Sequence, residues 1–186
     1  MNLYCKAEQF MLDSYGSDII GPQHLKRTAE WVRELRPDAD EALLIAALCH
    51  DIERAKSHAE GEPNTRLDNI TGDDYLTYHQ ERSARIMREF LVQVGADPDF
   101  TDRVAYLIAK HEVGGDDDQD LLKDADSISF LENNIDLFLE HVVHMIGHDE
   151  MLRKFQWMYD RITSKEAEAV ARPLFLDAME RAQQAI

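Results

Sequence analysis

The sequence has few cysteines and no long apolar run. Cys5 and Cys49 are the 2 cysteines among 186 residues, so no disulfide framework is indicated and a reducing cytoplasm fits. Residues 1–10 include Lys6 and Glu8 and lack the apolar core of a signal peptide. The longest apolar stretch is far too short to span a bilayer. We therefore predict a cytoplasmic protein with no membrane partner.

Positive charge is also scarce. The chain has 20 Lys and Arg residues against 37 Asp and Glu residues, which gives a formal net charge of -17. A field of that sign repels phosphate backbones, so long nucleic acids are not expected as partners. A small anionic substrate would need a metal ion or a few well-placed Arg and Lys side chains to bind.

The sequence also lacks the residue pattern that is typical of β-strands. No sustained alternation of apolar and polar residues occurs, whereas apolar residues recur at helical spacing through most of the chain. The sequence therefore predicts one all-α domain over residues 1–186. The predicted helices are Leu3–Tyr15, one from Gly21-Pro22 to about Leu35, a buried helix ending near Arg54, and then 75–94, 100–111, 119–138, 141–146, 150–162 and 165–185. Pro173 is expected to kink or interrupt the last of these.

One long segment has no helical pattern. Residues 56–74 contain Gly61, Pro63, Asn64 and Gly72. A loop of this length in a compact domain is typical of a lid, a binding loop or a mobile segment.

A histidine and an aspartate stand together at the end of the buried helix. His50 and Asp51 follow the run 42–49, which is apolar on every side. Burying two such side chains is unfavourable unless something pairs with them. A bound cation would satisfy both. The alternative is a capped, solvated helix end, where a histidine is favoured by the helix dipole.

Four further residues are candidates for the same cation. His24, His79 and His111 lie on three other predicted helices, and Asp126 lies beside the apolar stripe of a fourth. Taken singly, each is more often structural or solvated than ligating. Their order along the chain changes the interpretation.

That order resembles the HD superfamily of metal-dependent phosphohydrolases, whose motif is H…HD…D on a helical bundle. Gln23-His24-Leu25, Cys49-His50-Asp51-Ile52 and Asp124-Ala125-Asp126-Ser127 match its elements, and His79-Gln80-Glu81-Arg82-Ser83-Ala84 matches a segment that follows the doublet. The resemblance covers roughly residues 20–135. It implies an HD-like core there and a C-terminal helical extension over 136–186.

The resemblance also implies a ligand set. His24, His50, Asp51 and Asp126 would hold one metal, with Asp126 rather than Asp124 as the last ligand. His79 and His111 would either hold a second ion bridged by Asp51 or face the substrate phosphate. Nitrogen and oxygen ligands without cysteine suit Mn, Fe, Co, Ni or Zn, with Mg also open. One or two ions are compatible with the sequence.

Several charged residues are candidates for the chemistry. Asp51, Arg54 and Arg82 are the predicted catalytic residues, because Arg54 follows the doublet and Arg82 shares a helix face with His79. Other candidates for phosphate binding are Arg27, Lys56 and Lys110, and Glu53 is either a base or a helix-surface acid. His141, His144 and His148 also share helical spacing; we interpret them as a polar or interface face rather than a zinc site.

Three functions remain open. The first is hydrolysis of small phosphomonoesters, nucleotides or related phosphodiesters by a metal-activated water. The second is a di-iron oxygenase, as in the myo-inositol oxygenase group, which shares this fold and ligand pattern. The third is a non-catalytic, metal-stabilised module that binds a ligand. A small phosphorylated substrate is the expected partner, and a homodimer stays open.

Overall fold

The computed structural model describes residues 2–55 and 72–184. These residues contain helices and connecting turns and no strand, which confirms the predicted all-α class. The helices are α1 (Leu3–Tyr15), α2 (Ile20–Leu35), α3 (Glu41–Cys49), α4 (Asp73–Gln93), α5 (Pro98–Ile108), α6 (Asp117–Asn133), α7 (Ile135–Leu137), α8 (Val143–Ile146), α9 (His148–Asp160) and α10 (Lys165–Gln184). A π-helical turn, Phe138–Val142, joins α7 to α8, and residues 52–55 form a helical turn after α3.

Aspartate caps set where three of the central helices begin. Asp40 accepts a hydrogen bond from the backbone nitrogen of Leu43 at the start of α3. Asp97 does the same for α5, and Asp116 forms a capping box with Gln119 at the start of α6. Each cap satisfies backbone donors that have no partner within their own helix.

Helix α3 is the centre of the first core. It packs against α1, α2, α5 and α6. Its residues 45–49 are completely buried, as the all-round apolar run predicts. This packing fixes the position of the His50-Asp51 pair, which follows directly in the chain.

A second core lies around the C-terminal helices. Helix α6 contributes to both cores, with Leu122 and Ala125 in the first and Ile128 in the second. Helices α9 and α10 pack on α6 and on each other. Helix α10 continues through Pro173, so the helix is not interrupted at that residue, and the alternative expectation of a kink stays a prediction. The division into an HD-like core and an extension stays a prediction.

Two sequence predictions concern the connecting segments. The predicted helix 119–138 ends earlier, at Asn133, and the chain continues into a short helix and the π-helical turn. Most of the predicted loop 56–74 lies outside the described residues; Gly72 precedes α4, which begins at Asp73. None of the helices in the described part of the chain has both the length and the apolar character needed to cross a membrane.

A buried aspartate ties the turn between α9 and α10 to α6. The carboxylate of Asp124 accepts hydrogen bonds from the backbone nitrogens of Thr163 and Ser164, both at 2.8 Å, and from the Thr163 hydroxyl at 3.1 Å. These donors precede the first turn of α10. Asp124 is therefore committed to the fold.

We predict that Asp124→Ala destabilises the protein without removing a metal ligand. The substitution leaves part-buried backbone donors unpaired, which should lower the free energy of unfolding by about 2 kcal/mol. Chemical denaturation measures this change. Asp117→Ala, an exposed position in the first turn of α6, is the control and should cost less than about 0.5 kcal/mol. Equal stability of the two variants would contradict the structural role of Asp124.

Candidate metal centre

The structure brings the six predicted ligand residues together at one end of α3. His24 comes from α2, His79 from α4 and Asp126 from α6, while His50, Asp51 and His111 lie just after the ends of α3 and α5. All six are buried. Five separate stretches of chain therefore meet at a single cluster.

The four imidazole rings are each fixed through the same nitrogen. Nδ1 of His50 lies 2.8 Å from the carbonyl oxygen of Ala47, and Nδ1 of His111 lies 2.8 Å from that of Ile108. A carbonyl only accepts, so both Nδ1 atoms carry the proton and donate it. Their Nε2 atoms are then free to present a lone pair.

The remaining two rings are held by side chains. Nδ1 of His79 lies 2.8 Å from a carboxylate oxygen of Glu53. Nδ1 of His24 lies 3.0 Å from the hydroxyl oxygen of Ser129, whose own proton is donated to the backbone oxygen of His24. A histidine anchored in this way through one nitrogen is typical of metal ligands, because the anchor fixes the tautomer and the ring orientation.

The Nε2 atoms converge on two carboxylates. Asp126 Oδ1 lies 3.0 Å from Nε2 of His24 and 3.3 Å from that of His50. Asp51 Oδ1 lies 2.6 Å from Nε2 of His79 and 3.7 Å from that of His111. Nε2 of His50 is also 3.9 Å from Asp51, so His50 stands between the two carboxylates.

Two orphaned atoms test whether a cation fits. Nε2 of His50 and Nε2 of His111 are buried and have no hydrogen-bond partner among the described residues. A buried polar atom without a partner is unfavourable, and a cation would take both lone pairs. Two groups of side chains have donor atoms close enough together to hold an ion. One group is His24, His50 and Asp51, and the other is Asp51, His79, His111 and Glu112, so Asp51 belongs to both. These residues fit one or two divalent ions bound through nitrogen and oxygen.

Glu112 is a candidate that the sequence analysis missed. It follows His111, is buried, and one of its oxygens lies 3.7 Å from Nε2 of His111 and 3.9 Å from that of His79. The signal available in the sequence was its position next to His111 at the end of a helix. That signal was too weak to use, because glutamate at a helix end is usually solvated.

Arg161 is the second residue missed. Its guanidinium donates to Asp126 and to Glu112, each through a different nitrogen, and its Nε donates to the hydroxyl of Ser127 at 2.8 Å. Only 7% of the Arg161 side chain is exposed. Arg161 binds Oδ2 of Asp126, whereas His24 contacts Oδ1. Arg161 therefore neutralises this carboxylate and leaves Oδ1 available to the cluster.

The carboxylates of the cluster are ionised despite their burial. Burial opposes ionisation of Asp51, but Arg54 and His79 outweigh it and hold the pKa of this carboxyl well below its usual range. Burial likewise opposes ionisation of Glu112, and Arg161 outweighs it, so the pKa of Glu112 falls to about 2. Burial lowers the pKa of His111, which keeps its imidazole neutral. Burial also opposes protonation of His50, but Asp126 and Asp51 outweigh it and raise the pKa of His50 to about 9. Metal binds ionised carboxylates and neutral imidazole, so an ion at this site would displace the proton of His50.

The two arginines that were predicted to be catalytic differ in what they contact. Arg54 donates from Nε to Asp51 Oδ2 at 2.5 Å. Arg82 donates to the hydroxyl of Tyr78 at 2.6 Å and is not among the described residues that line the cavity beside the cluster.

The other candidates for phosphate binding do not line this cavity within the described part of the chain. Arg27 pairs with Glu30, Glu34 and Glu132, Lys110 is exposed, and Lys56 lies outside the described residues. Glu53 is buried against His79, so its interpretation as a helix-surface acid is wrong.

The three C-terminal histidines do not form a cluster with metal-binding geometry in the described part of the chain. The side chain of His141 is 69% exposed, and His144 is also exposed. Gly147 ends α8, and Nε2 of His148 on the next helix lies 3.1 Å from the backbone oxygen of Ala182. This agrees with the interpretation of a polar face.

A cavity of about 400 Å³ opens beside the cluster. Charged residues form part of its lining, among them Asp51, Arg54, Glu112 and Asp126, and also Lys154 of α9. The side chain of Lys154 is buried, and its ammonium lies 4.3 Å from the ring centroid of Trp157. Burial lowers the pKa of Lys154 to about 8, so it remains mostly protonated at neutral pH.

This helical bundle, with histidines and aspartates meeting at the end of a buried helix, defines an HD-type fold. Residues 21–186 match the family described as "Domain of unknown function (DUF4202)", and the chain belongs to that family. The crystal structure of a predicted HD superfamily hydrolase from an uncultured Thermotogales bacterium is similar, with 20% sequence identity and a TM-score of 0.58 over 97% of this chain and 89% of that one. This likeness confirms the fold. No curated protein matches the sequence.

We predict that added metal stabilises the protein through His50. An ion at 100 times its dissociation constant raises the free energy of unfolding by about 2.7 kcal/mol. The stabilisation by Mn or Zn, measured as a shift of the melting temperature against chelator-treated protein, should be lost in His50→Ala. His141→Ala, which removes an exposed histidine, should keep it. An undiminished metal-dependent shift in His50→Ala would rule out His50 as a ligand.

We also predict that Arg161 stabilises the cluster by pairing with its buried carboxylates. Arg161→Met leaves Asp126 and Glu112 without this counter-ion, which should destabilise the metal-free protein by about 3–5 kcal/mol. Urea denaturation in the presence of chelator measures the change. Arg153→Met is the control, because Arg153 lies on α9, the helix that ends just before Arg161, is 66% exposed and pairs with Glu150 at the surface; its loss should be below about 1 kcal/mol. Similar losses in the two variants would contradict the proposed pairing.

Proposed function

We propose that this protein is a metal-dependent phosphohydrolase that acts on small phosphomonoesters, including nucleotides, or on related phosphodiesters. The observation that carries the proposal is the cluster itself. Four histidines present Nε2 toward two ionised aspartates, and two of those nitrogens have no hydrogen-bond partner among the described residues. His24, His50, Asp51 and Asp126 are the proposed ligands of one ion, and His79, His111 and Glu112 of a second that shares Asp51.

The chain surrounds this cluster with groups suited to a phosphoryl substrate. A bound divalent ion supplies a water of lowered pKa and an electrophilic contact for a phosphoryl oxygen. Arg54 and Lys154 line the cavity together with Asp51 and Asp126 and contribute the positive charge that favours a phosphate there. This local charge is necessary because the formal net charge of the chain is -17.

Lys154 is suited to binding an anion from the substrate. Its ammonium group forms no hydrogen bond or ion pair with any of the described residues, and it lies over the rings of Trp157 and, at 5.6 Å, Phe130. Arg54, in contrast, is already paired with Asp51. A buried cation without a close counter-ion gains most from a bound anion.

The net reaction follows from these placements. Water oxygen joins phosphorus, the bond from phosphorus to the ester oxygen breaks, and a water proton ends on the departing alcohol. Arg54 and Lys154 neutralise the charge on the phosphoryl oxygens as the bond breaks. A cavity of about 400 Å³ suits a small molecule, which agrees with the exclusion of long nucleic acids.

Hydrolysis by the metal-loaded protein tests the proposal. Chelator-treated protein, reloaded separately with Mn, Co, Ni, Mg or Fe, is assayed for phosphate release from a panel of phosphomonoesters, nucleotides and phosphodiesters, with metal content measured per chain. Activity should appear on reloading and be lost in Asp51→Asn, while Asp124→Asn, which alters an aspartate outside the cluster, keeps it. A fully loaded protein that is inert on the panel would refute the hydrolase. Inertness together with bound iron and oxygen consumption would favour the oxygenase, and inertness without oxygen consumption would favour the ligand-binding module.

We predict that Lys154→Met weakens substrate binding more than it alters the fold. Loss of a charge-assisted contact to phosphate is worth about 1.5–3 kcal/mol, so KM should rise by about 10-fold to 100-fold. Steady-state kinetics with the best substrate of the panel gives this ratio. Lys165→Met, at the exposed start of α10, is the control and should leave KM unchanged. An unaltered KM in Lys154→Met would show that Lys154 does not bind the substrate phosphate.

A further inference from the structure

One part of the cavity lining differs in character from the part formed by the metal cluster. Its wall is formed by apolar side chains, and the structure places six of them there: Phe130, Leu137, Phe138, Val142, Met145 and Met158. They come from α6, α7, the π-helical turn, α8 and α9. None of these residues belongs to the ligand set or to the pair of cations that would face a phosphate.

The cavity is larger than a phosphate requires. A water molecule takes about 30 Å³ of liquid volume, and a phosphate has only five heavy atoms. The cavity of about 400 Å³ therefore leaves most of its space to the organic part of a substrate. That space is bounded mainly by carbon, so the organic part that fits best is itself apolar.

Two local features favour a binding role for this wall. The side-chain oxygen of Asn134, which lines the cavity, is buried and has no hydrogen-bond partner among the described residues. Such an atom is unfavourable for folding alone, and a bound molecule whose otherwise apolar group carries one donor would satisfy it. The adjoining turn Phe138–Val142 is π-helical, a rare geometry that is frequent at functional sites.

We infer that this apolar part of the cavity lining is a binding subsite for an uncharged apolar or aromatic group esterified to the phosphate. The inference rests on the proposed function, since the phosphate end of the ligand is assumed to lie at the metal cluster. The apolar wall residues between 130 and 158 then determine specificity, and the protein distinguishes substrates by their organic part rather than by their phosphate.

Two phosphonates test the inference without depending on turnover. Phenylphosphonate and methylphosphonate have the same anionic group and differ in the apolar group, and neither is cleaved by phosphoester hydrolysis. Calorimetric titration into the Mn-loaded protein should show phenylphosphonate binding at least about tenfold more tightly, because the ring is removed from water against the wall.

A double variant locates the subsite. Val142→Asn combined with Met145→Gln replaces two wall residues by polar ones of similar size. This variant should reduce the preference for phenylphosphonate to about threefold or less and leave the affinity for methylphosphonate unchanged. The matched control is Val92→Asn combined with Leu176→Gln, which changes a valine that is 65% exposed and a leucine that is 57% exposed, close to the 56% of Met145, and neither lines the cavity. The control should keep the tenfold preference.

The outcomes separate this inference from the proposed function. Equal affinities for the two phosphonates in the wild type would overturn the subsite and leave the phosphate site intact. A preference that persists in the double variant would place the apolar group elsewhere and also overturn the inference. Failure of both phosphonates to bind the metal-loaded protein would refute the phosphate site and the subsite with it.

Discussion

Burial of ionised carboxylates in a helical core is the constraint on which the rest of this structure depends. Asp51, Glu112 and Asp126 all lie within the bundle, where an isolated charge would be strongly unfavourable. Each one is matched by a specific donor: Arg54, Arg161 or a histidine of the cluster. The apolar helix α3 gives this arrangement a rigid base, because it fixes His50 and Asp51 at its end. A divalent cation would complete the balance of charge.

The cluster depends on both hydrophobic cores. Helices α2, α3 and α5 belong to the first core and position most of the histidines. Arg161 and Lys154 come from the C-terminal part, which is built around the second core. The C-terminal helices therefore complete the electrostatics of the site and form one wall of its cavity. Their removal would expose Asp126 and Glu112 without a counter-ion.

The sequence predicted the fold and the positions of the six cluster residues better than it predicted their surroundings. Apolar periodicity encodes the helices directly, and the run 42–49 identified the central helix. The ordered motif selected Asp126 over Asp124, and the structure shows why the two differ: Asp124 binds the turn before α10, whereas Asp126 faces His24. Whether these residues hold metal stays a prediction.

The spacing of residues along a helix could not predict which side chains pair in the folded protein. Arg82 shares a face with His79 along α4, yet its guanidinium contacts Tyr78. Arg161 is 35 residues from Asp126 in the chain, and nothing local marks it as a partner of that carboxylate. Lysine is usually solvated, so the sequence gives no reason to expect that Lys154 is buried where α9 packs on α6.

The contact between Trp157 and two cations makes this indole an optical sensor of the site. Its ring lies 4.3 Å from the ammonium of Lys154 and 4.6 Å from the guanidinium of Arg161. The other of the 2 tryptophans, Trp31, is hydrogen-bonded to Glu132 and lies against Arg27, in a separate environment. Any ligand that draws Lys154 away from the ring alters the emission of Trp157 alone. Occupancy of the cavity can thus be followed by intrinsic fluorescence, with Trp31→Phe removing the background.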